Sequence, residues 1–402
     1  MRMAKYSYTA SVITALLSTA FSSNAFSEGN FTPFISASAL TDSNIYRLDD
    51  SISESSLSED TSKSDKLYRT TVGLNLDWTV SRQAFYVSGS LQDTRYEKNT
   101  QLDNLAKNLN ARWNWLLGSR LTGIVSASQS IGLSNFEDTG VREKVERTIS
   151  QLNASGNWRY HPDWQLGLAF RTLDIGYDSE TRNVSDLKQL ATSVNLDYLV
   201  KTGSRIGFKL ENEVGEFPNR VNSLFFDDKY TQNSFLLTTF WNISGKSSFN
   251  SEFGYVSRSH PDITERDYEG LNATLRYNWA VTTKVNIFAE AFRRTASSED
   301  ILASYSENTG TKITAQWIPT DKITVSGLLS KETRDYTGQT GLIPGVDSTL
   351  EDRFINKTLS VKYEPHKNFD ISLGYTDSSR ESNGNLRDYT AEQYSLTLKI
   401  NL

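Results

Sequence analysis

The sequence predicts an all-β protein: a transmembrane antiparallel up-and-down β-barrel of about eighteen strands, with sixteen as the alternative count. Three observations support this prediction. Apolar and polar residues alternate over long stretches, a repeat of about 40 residues runs along the chain, and aromatic residues stand just before short polar turns. A sheet with one apolar and one polar face, closed so that no edge meets lipid, accounts for all three.

The alternation is clear in the stretch 71–78. Val72 and Leu74 share one face with Trp78, whereas Asn75 shares the other face with Asp77. Because side chains flip at every residue of a strand, this pattern indicates a sheet with two different faces. Burying unpaired charges costs several kcal/mol each, so the polar face is expected to meet water and the apolar face lipid. The same pattern recurs at 108–115 and 271–279.

The repeat distinguishes between two β architectures. Each repeat, from about residue 66 onward, holds two strands of about a dozen residues, one short turn and one longer connection. A β-propeller blade of the same length would hold four short strands and would be buried on both faces. Long strands with a charged face therefore favour the barrel over the propeller.

The short turns determine the strand count and the orientation. Eight aromatic-marked turns alternate with nine longer connections. This gives eighteen strands, with the start of the first strand and the end of the last strand both on the periplasmic side. Short turns face the periplasm in such barrels, and amphipathic aromatic rings are most stable at the membrane interface. The residues assigned to this periplasmic aromatic girdle are Trp78, Trp113, Trp115, Trp158, Tyr198, Trp241, Trp279, Trp317 and Tyr363. The outward loops are predicted at about 41–65, 97–101, 134–144, 178–185, 217–228, 259–264, 297–300, 337–349 and 380–387.

The two ends of the chain carry predicted export signals. Arg2 and Lys5 precede an apolar segment at 11–21, and a small-residue cleavage site ends at Ala25. Residues 1–25 are therefore predicted as a signal peptide and 26–402 as the barrel, since the apolar segment is too short for a membrane anchor. Apolar residues at every second place up to Leu402 resemble the signal that the barrel-assembly machinery recognises, although that signal usually ends in an aromatic. The expected location is the outer membrane of a Gram-negative bacterium, in contact with its lipid and lipopolysaccharide.

Candidate catalytic and metal-binding residues are few. The chain has no cysteine, which excludes thiolate sites, and only three histidines. His161 and His366 fall in short turns, and His260 falls in an outer loop near serines and Asp262. A hydrolytic site needs a nucleophile, a base and an orienting group within mutual reach. A plain loop histidine is the favoured interpretation, so we predict no enzyme activity, no cofactor and no metal.

The first outer loop and the overall charge suggest no specific ligand. The loop at 41–65 is acidic and rich in serine, but its acidic residues do not follow the spacing of a calcium-binding loop. We predict a solvated, mobile loop there. The net charge of −6 provides no basic face for nucleic acid.

The polar face supplies the candidate functional residues. A barrel of sixteen to eighteen strands normally encloses an aqueous channel. Charges in it could orient a hydrated solute, or they could form salt bridges that keep a wet lining stable, and both interpretations stay open. The residues predicted to line the pore are Asp77, Arg112, Arg159, Asp197, Lys209, Glu211, Arg276, Lys362 and Lys399.

Short motifs within about 40–125 carry a family resemblance. They are DSNIYRL at 42–48, VSRQAF at 80–85, TRY at 94–96, LD at 102–103 and WLLGSRLTG at 115–123. With them the chain resembles EpsL-type outer-membrane barrels of exopolysaccharide clusters, a group of β-barrel porins. The resemblance implies a part in biosynthesis or export of an extracellular polysaccharide, in some relatives alongside an exosortase sorting system. The family offers no established functional residues to transfer.

Three functions follow as hypotheses. The first is a non-enzymatic channel that takes part in exopolysaccharide biosynthesis or export, with the polymer and periplasmic export components as partners. The second is a general diffusion porin for small hydrophilic solutes. The third is a surface scaffold or adhesin whose long loops bind a polymer or a protein.

Overall fold

The computed structural model describes residues 29–57, 61–137, 142–221, 227–297, 305–337 and 350–402. The predicted signal peptide lies outside these residues, as do parts of five predicted loops. Within the described ranges, no helix is long and apolar enough to cross a membrane. The helical elements there are four single 3₁₀ turns: Glu54–Ser56, Thr100–Leu102, Asn183–Ser185 and Thr264–Arg266.

All eighteen strands belong to one antiparallel sheet, in which each strand pairs with its neighbours in sequence. The strands are β1 (Gly29–Asp42), β2 (Asp65–Val80), β3 (Gln83–Tyr96), β4 (Asn104–Leu117), β5 (Leu121–Leu133), β6 (Glu146–His161), β7 (Trp164–Tyr177), β8 (Leu187–Leu199), β9 (Arg205–Glu216), β10 (Lys229–Ser244), β11 (Ser247–Ser259), β12 (Tyr268–Thr282), β13 (Val285–Ser297), β14 (Tyr305–Thr320), β15 (Ile323–Thr337), β16 (Glu351–His366), β17 (Phe369–Ser382) and β18 (Tyr389–Asn401).

The first and last strands close the barrel. β1 pairs with β2 on one side and with β18 on the other, so that Phe34 lies opposite Asn401. Near this seam the Leu402 N–H donates to the Pro33 carbonyl over 2.8 Å. The predicted closed up-and-down barrel is confirmed, and the count is eighteen rather than sixteen.

Short and long connections alternate along the chain, as predicted. The short ones join pairs such as β2 and β3. The first residue of β1 and the last residue of β18 lie at the same end of the barrel as these turns. We call the opposite end the mouth. The longer connections at the mouth are L1 (43–64), L2 (97–103), L3 (134–145), L4 (178–186), L5 (217–228), L6 (260–267), L7 (298–304), L8 (338–350) and L9 (383–388).

The alternation of side chains gives the barrel its two faces. On β9, Phe208 and Leu210 are exposed on the outer face, whereas Gly207 and Glu213 are buried on the inner face. Register partners share a face, so the outer surface is an apolar band around the barrel. This outer band is the surface that a lipid bilayer would cover.

The predicted girdle residues lie on the outer face close to the short turns. Trp158, Trp241 and Trp317 are about half exposed there. Trp78 is instead buried, because its ring stacks on Phe85 at a centroid distance of 5.2 Å. Their contact with the membrane interface stays a prediction.

Trp115 shows how the tight outer surface is made. Its ring lies over Gly123 and Gly156 on the next two strands. A Cβ atom on Gly123 would overlap both the Trp115 ring and the Ser155 carbonyl oxygen. Only glycine therefore allows the indole to lie flat against the barrel at this point.

Candidate functional site: the lumen and its mouth

The structure places most of the predicted pore-lining residues on the inner face by strand register. Asp77 on β2 and Arg112 on β4 flank Tyr86 on β3 in one row. Arg159 differs, because it lies beside a β-bulge at the end of β6 and its guanidinium Nε donates to the Pro162 carbonyl of the same turn over 3.0 Å. The other predicted residues on the inner face are Asp197, Lys209, Glu211, Arg276, Lys362 and Lys399. A role for any of them in transport stays a proposal.

Of the nine predicted residues, Lys209 and Glu211 contact each other. Their charged groups form an ion pair at 2.9 Å. Asp197 is buried and accepts a hydrogen bond from the Asn195 amide over 2.7 Å. Lys399 lies over the Phe34 ring, with its Nζ 4.5 Å from the centroid. The set is therefore spread around the wall rather than gathered in one cluster.

A charged cluster lies on the wall between β7 and β13 and borders a cavity of about 460 Å³. Arg171 on β7 contacts Glu213 on β9 at 3.0 Å and Glu211 at 3.7 Å. Glu213 also accepts a hydrogen bond from the Tyr230 hydroxyl over 3.0 Å. Strand alternation placed Lys209 and Glu211 on this wall, but it did not single out Arg171 or Glu213.

Other inner-face charges are also paired. Arg276 contacts Glu290 on the next strand at 3.0 Å. Arg334 contacts Glu332 at 2.7 Å, and Lys362 contacts Glu364 at 2.9 Å. Each of these pairs is neutral as a unit, whereas Lys399 and Arg258 lie against aromatic rings. Two interpretations of the lining were open: charges that orient a solute, and salt bridges that keep a wet lining stable. The pairing favours the second.

Arg258 is a buried cation of the same region. Its guanidinium lies 4.0 Å above the Tyr230 ring, and its Nε donates to the Gln232 Oε1 over 3.0 Å. Both contacts compensate in part for the loss of water around the charge. Its side chain borders the cavity from the mouth side.

The first part of L1 packs inside the mouth, which contradicts the prediction of a solvated, mobile loop. Ile45, Tyr46 and Leu48 are buried in an apolar cluster with Leu67 of β2. Leu102 of L2 and Phe136 of L3 complete the cluster. Burial of this apolar surface outweighs the hydrophilic composition of the rest of the loop. The later residues Ser53–Ser56 are exposed, as predicted.

L3 reaches across the mouth. Glu137 accepts a hydrogen bond from the Tyr389 hydroxyl of β18 over 2.8 Å, and its carbonyl accepts one from Arg380 of β17. L3 starts from β5, and β18 lies beyond β4, β3, β2 and β1 around the barrel. Contact between such distant strands requires L3 to run inward over the opening.

A second apolar cluster narrows the mouth from another side. It contains Ile175 and Leu187 from the inner face of β7 and β8, together with Phe217 of L5 and Tyr230 of β10. The mouth is thus bordered by inward-folded loop residues on two sides, and the lumen below it is polar.

L5 and L6 bring acidic and basic groups together. Carboxylate oxygens of Asp227, Asp228 and Asp262 lie within 4.8 Å of one another. Burial lowers the pKa of Arg220 to about 10, while Asp227 and Asp228 oppose that shift. Burial also lowers the pKa of Arg266, and Asp227 again opposes that shift, so carboxylate and guanidinium charges partly compensate each other between L5 and L6.

His260 is more constrained than the predicted plain loop residue. Its ring is buried, lies 6.3 Å from the Tyr230 ring, and has its Nδ1 3.6 Å from the Asp267 carboxylate. Burial, with help from the charge of Arg258, lowers the pKa of His260 to about 4. The neighbouring Ser259 hydroxyl donates to the Thr231 carbonyl of β10 over 3.4 Å.

We expect His260 to titrate near pH 4. Because its folded pKa lies below the unfolded value of ~6.5, its neutral form stabilises the mouth fully above pH 6.5. That contribution is lost as the pH falls toward 4. Selective labelling of histidine and an NMR titration in micelles measure the pKa of His260. Titration of His260 near 6.5 would contradict the buried placement, and His260→Gln identifies its resonance.

Comparisons with known proteins agree with the architecture. Residues 244–402 match a family model described as "Putative beta-barrel porin 2". The matched residues include β11 to β18 of the eighteen-stranded barrel. No curated protein sequence matches the chain.

The chain is also similar to solved structures of proteins from Pseudomonas aeruginosa and Acinetobacter baumannii. OpdK of Pseudomonas aeruginosa is 8% identical with a TM-score of 0.47, and the match covers 93% of this chain and 99% of that one. OccK2 (OpdF) of the same species, solved with glucuronate, is 9% identical with a TM-score of 0.48, covering 93% and 98%. The channel DcaP of Acinetobacter baumannii is 15% identical with a TM-score of 0.40, covering 95% and 99%.

Proposed function

We propose that the chain is an outer-membrane channel through which small hydrophilic solutes diffuse. The proposal depends on the closed eighteen-stranded wall, which is apolar outside and polar inside and has ion pairs among its inner charges. A barrel of this strand number has room for water along its axis. The inward-folded L1 and L3 restrict the size of solute that can enter.

The pairing of charges also indicates the kind of channel. A wall with a strong net charge would concentrate counter-ions and select by sign. Here cations such as Arg171, Lys209 and Arg276 each contact a carboxylate. We therefore propose weak ion selectivity and a filter based on size and hydrogen bonding.

Purified protein in planar bilayers tests the proposal. We expect steady, ohmic conductance that does not need a ligand, and liposomes containing the protein should swell in small sugars but not in large ones. Heat-denatured protein is the control. A barrel that stays closed at every voltage and salt concentration would rule out the channel.

The remaining sequence predictions form part of the proposal. Residues 1–25 are proposed to be cleaved on export, which N-terminal sequencing of the purified barrel would test. The role in exopolysaccharide export rests on the resemblance of 40–125, and the comparisons do not add to it. Deleting the gene and measuring extracellular polysaccharide separates that role from simple diffusion.

Replacing Glu290 by Gln should make the channel more selective for anions. Arg276 would lose the carboxylate 3.0 Å away, and its charge would then act on ions in the lumen. The measurement is the reversal potential in a salt gradient. The matched control is Asp377→Asn, which breaks a similar pair with Lys357 on the outer face. An equal shift in both variants would show that the effect does not come from the lumen wall.

A further inference from the structure

The inner wall near the short turns contains an uncharged recess. It spans β10 to β15 and encloses about 650 Å³. Five of its lining residues form one register row: Asn242 lies opposite Ser248, Ser248 opposite Asn278, Asn278 opposite Phe288, and Phe288 opposite Thr314. One step nearer the turns, Gln316 joins the same lining. The volume falls within the ~300–1,000 Å³ typical of small-molecule sites.

The chemistry of this recess differs from that of the rest of the wall. Amides and hydroxyls predominate in its lining, which also includes the aromatic residues Phe288 and Trp279. Among the described residues of the lining, the single ionisable side chain is Lys246, which lies in the turn between β10 and β11. Across the barrel, Tyr86 instead has Asp77 and Arg112 as its register neighbours.

We propose that this recess binds an uncharged sugar unit as it passes through the lumen. An asparagine or glutamine amide can both donate and accept hydrogen bonds, and so can a sugar hydroxyl. The amides of the recess can therefore form hydrogen bonds with sugar hydroxyls in either direction. The apolar C–H face of the sugar ring would lie on the ring of Phe288. An ionised ligand would have to shed water here, and apart from Lys246 in the turn the described lining offers no charge to compensate for that loss.

This inference rests on the proposed channel, because the lumen is the route to the recess. It adds a substrate class, neutral carbohydrate, to a function otherwise defined by size. Because Phe288 lies between Asn278 and Thr314 in the row, loss of its ring should remove the stacking surface while leaving the hydrogen-bonding groups in place.

Calorimetry on the full barrel in detergent tests binding without requiring conduction. The probes are maltohexaose, which is neutral, and a galacturonate hexamer of the same length, which is acidic. We expect maltohexaose to bind more tightly than the acidic hexamer. The Phe288→Ala variant should weaken maltohexaose binding by about tenfold. Tyr86→Ala on the opposite wall is the matched control and should keep the original affinity.

Single-channel recording separates the two proposals. Transient blocks of the current by maltohexaose, shortened in Phe288→Ala, would support both. Steady current with no blocks and no calorimetric binding would overturn the sugar site and leave the channel intact. Tighter binding of the acidic hexamer would also overturn it. If Phe288→Ala does not assemble, Asn278→Leu replaces it and should weaken binding in the same way.

Discussion

Removing the inward-folded part of L1 is expected to raise the single-channel conductance severalfold. Ile45, Tyr46 and Leu48 occupy space inside the mouth that water and ions would otherwise fill. Asp42 and Asp65 are register partners, so the strand ends lie side by side and a linker of about four residues can replace 44–57. Conductance in planar bilayers gives the result directly.

The control for this deletion lies in the same loop. Ser53, Ser55 and Ser56 are exposed, and replacing them with glycine should leave the conductance unchanged. A second variant, Tyr46→Ala, removes the edge-on contact with Phe136 and the hydrogen bond from Gln101. It should increase current noise because L1 loosens. If the deletion conducts like the intact channel, the narrowest point lies elsewhere.

Replacing Asp352 by Ala is expected to lower the free energy of unfolding by about 3–5 kcal/mol. Asp352 is fully buried at the mouth end of β16, where it contacts the Arg387 guanidinium of L9 at 2.6 Å and accepts a hydrogen bond from the Ser382 hydroxyl over 2.5 Å. Its loss would leave a largely buried arginine without its carboxylate. The urea midpoint and the temperature at which the barrel loses its fast gel migration measure the effect.

An exposed ion pair provides the comparison. Lys66 and Glu97 lie 3.7 Å apart and are both exposed, so Glu97→Ala should cost less than about 1 kcal/mol. Replacing Asp352 and Arg387 together with apolar residues should restore much of the lost stability, since no charge is then left unpaired. Equal effects of Asp352→Ala and Glu97→Ala would contradict the argument.

The wall could be predicted from the sequence because its signals are local. Strand alternation has a period of two, so a single stretch such as 71–78 shows which residues face lipid. Turn residues mark where strands end, and counting turns gives the number of strands. Closure of the barrel could be predicted because unpaired strand edges are costly in lipid. That prediction requires no knowledge of contacts between distant residues.

The mouth could not be predicted because its packing joins loops that are far apart in the chain. Tyr46 is buried by Leu102 of L2 and Phe136 of L3, and composition alone favours a solvated loop. The ion pairs in the lumen could not be predicted for the same reason. Arg171 reaches Glu213 across Ala191, whose small side chain lies between them in the register row. Alternation indicates the face of each residue but not the charge two strands away.

The seam between β1 and β18 has a consequence for how the chain becomes a barrel. The Ser38 and Thr397 hydroxyls lie 2.9 Å apart across it, although 359 positions separate them in the chain. Contacts of such separation are the slowest to form, because the loop-closure entropy is lost before they contribute. Until the last strand arrives, every intermediate has two unpaired edges that lipid cannot satisfy. A chain cut short by one strand would therefore be exposed to aggregation or degradation, and the seam makes completion of the chain a condition for a stable barrel.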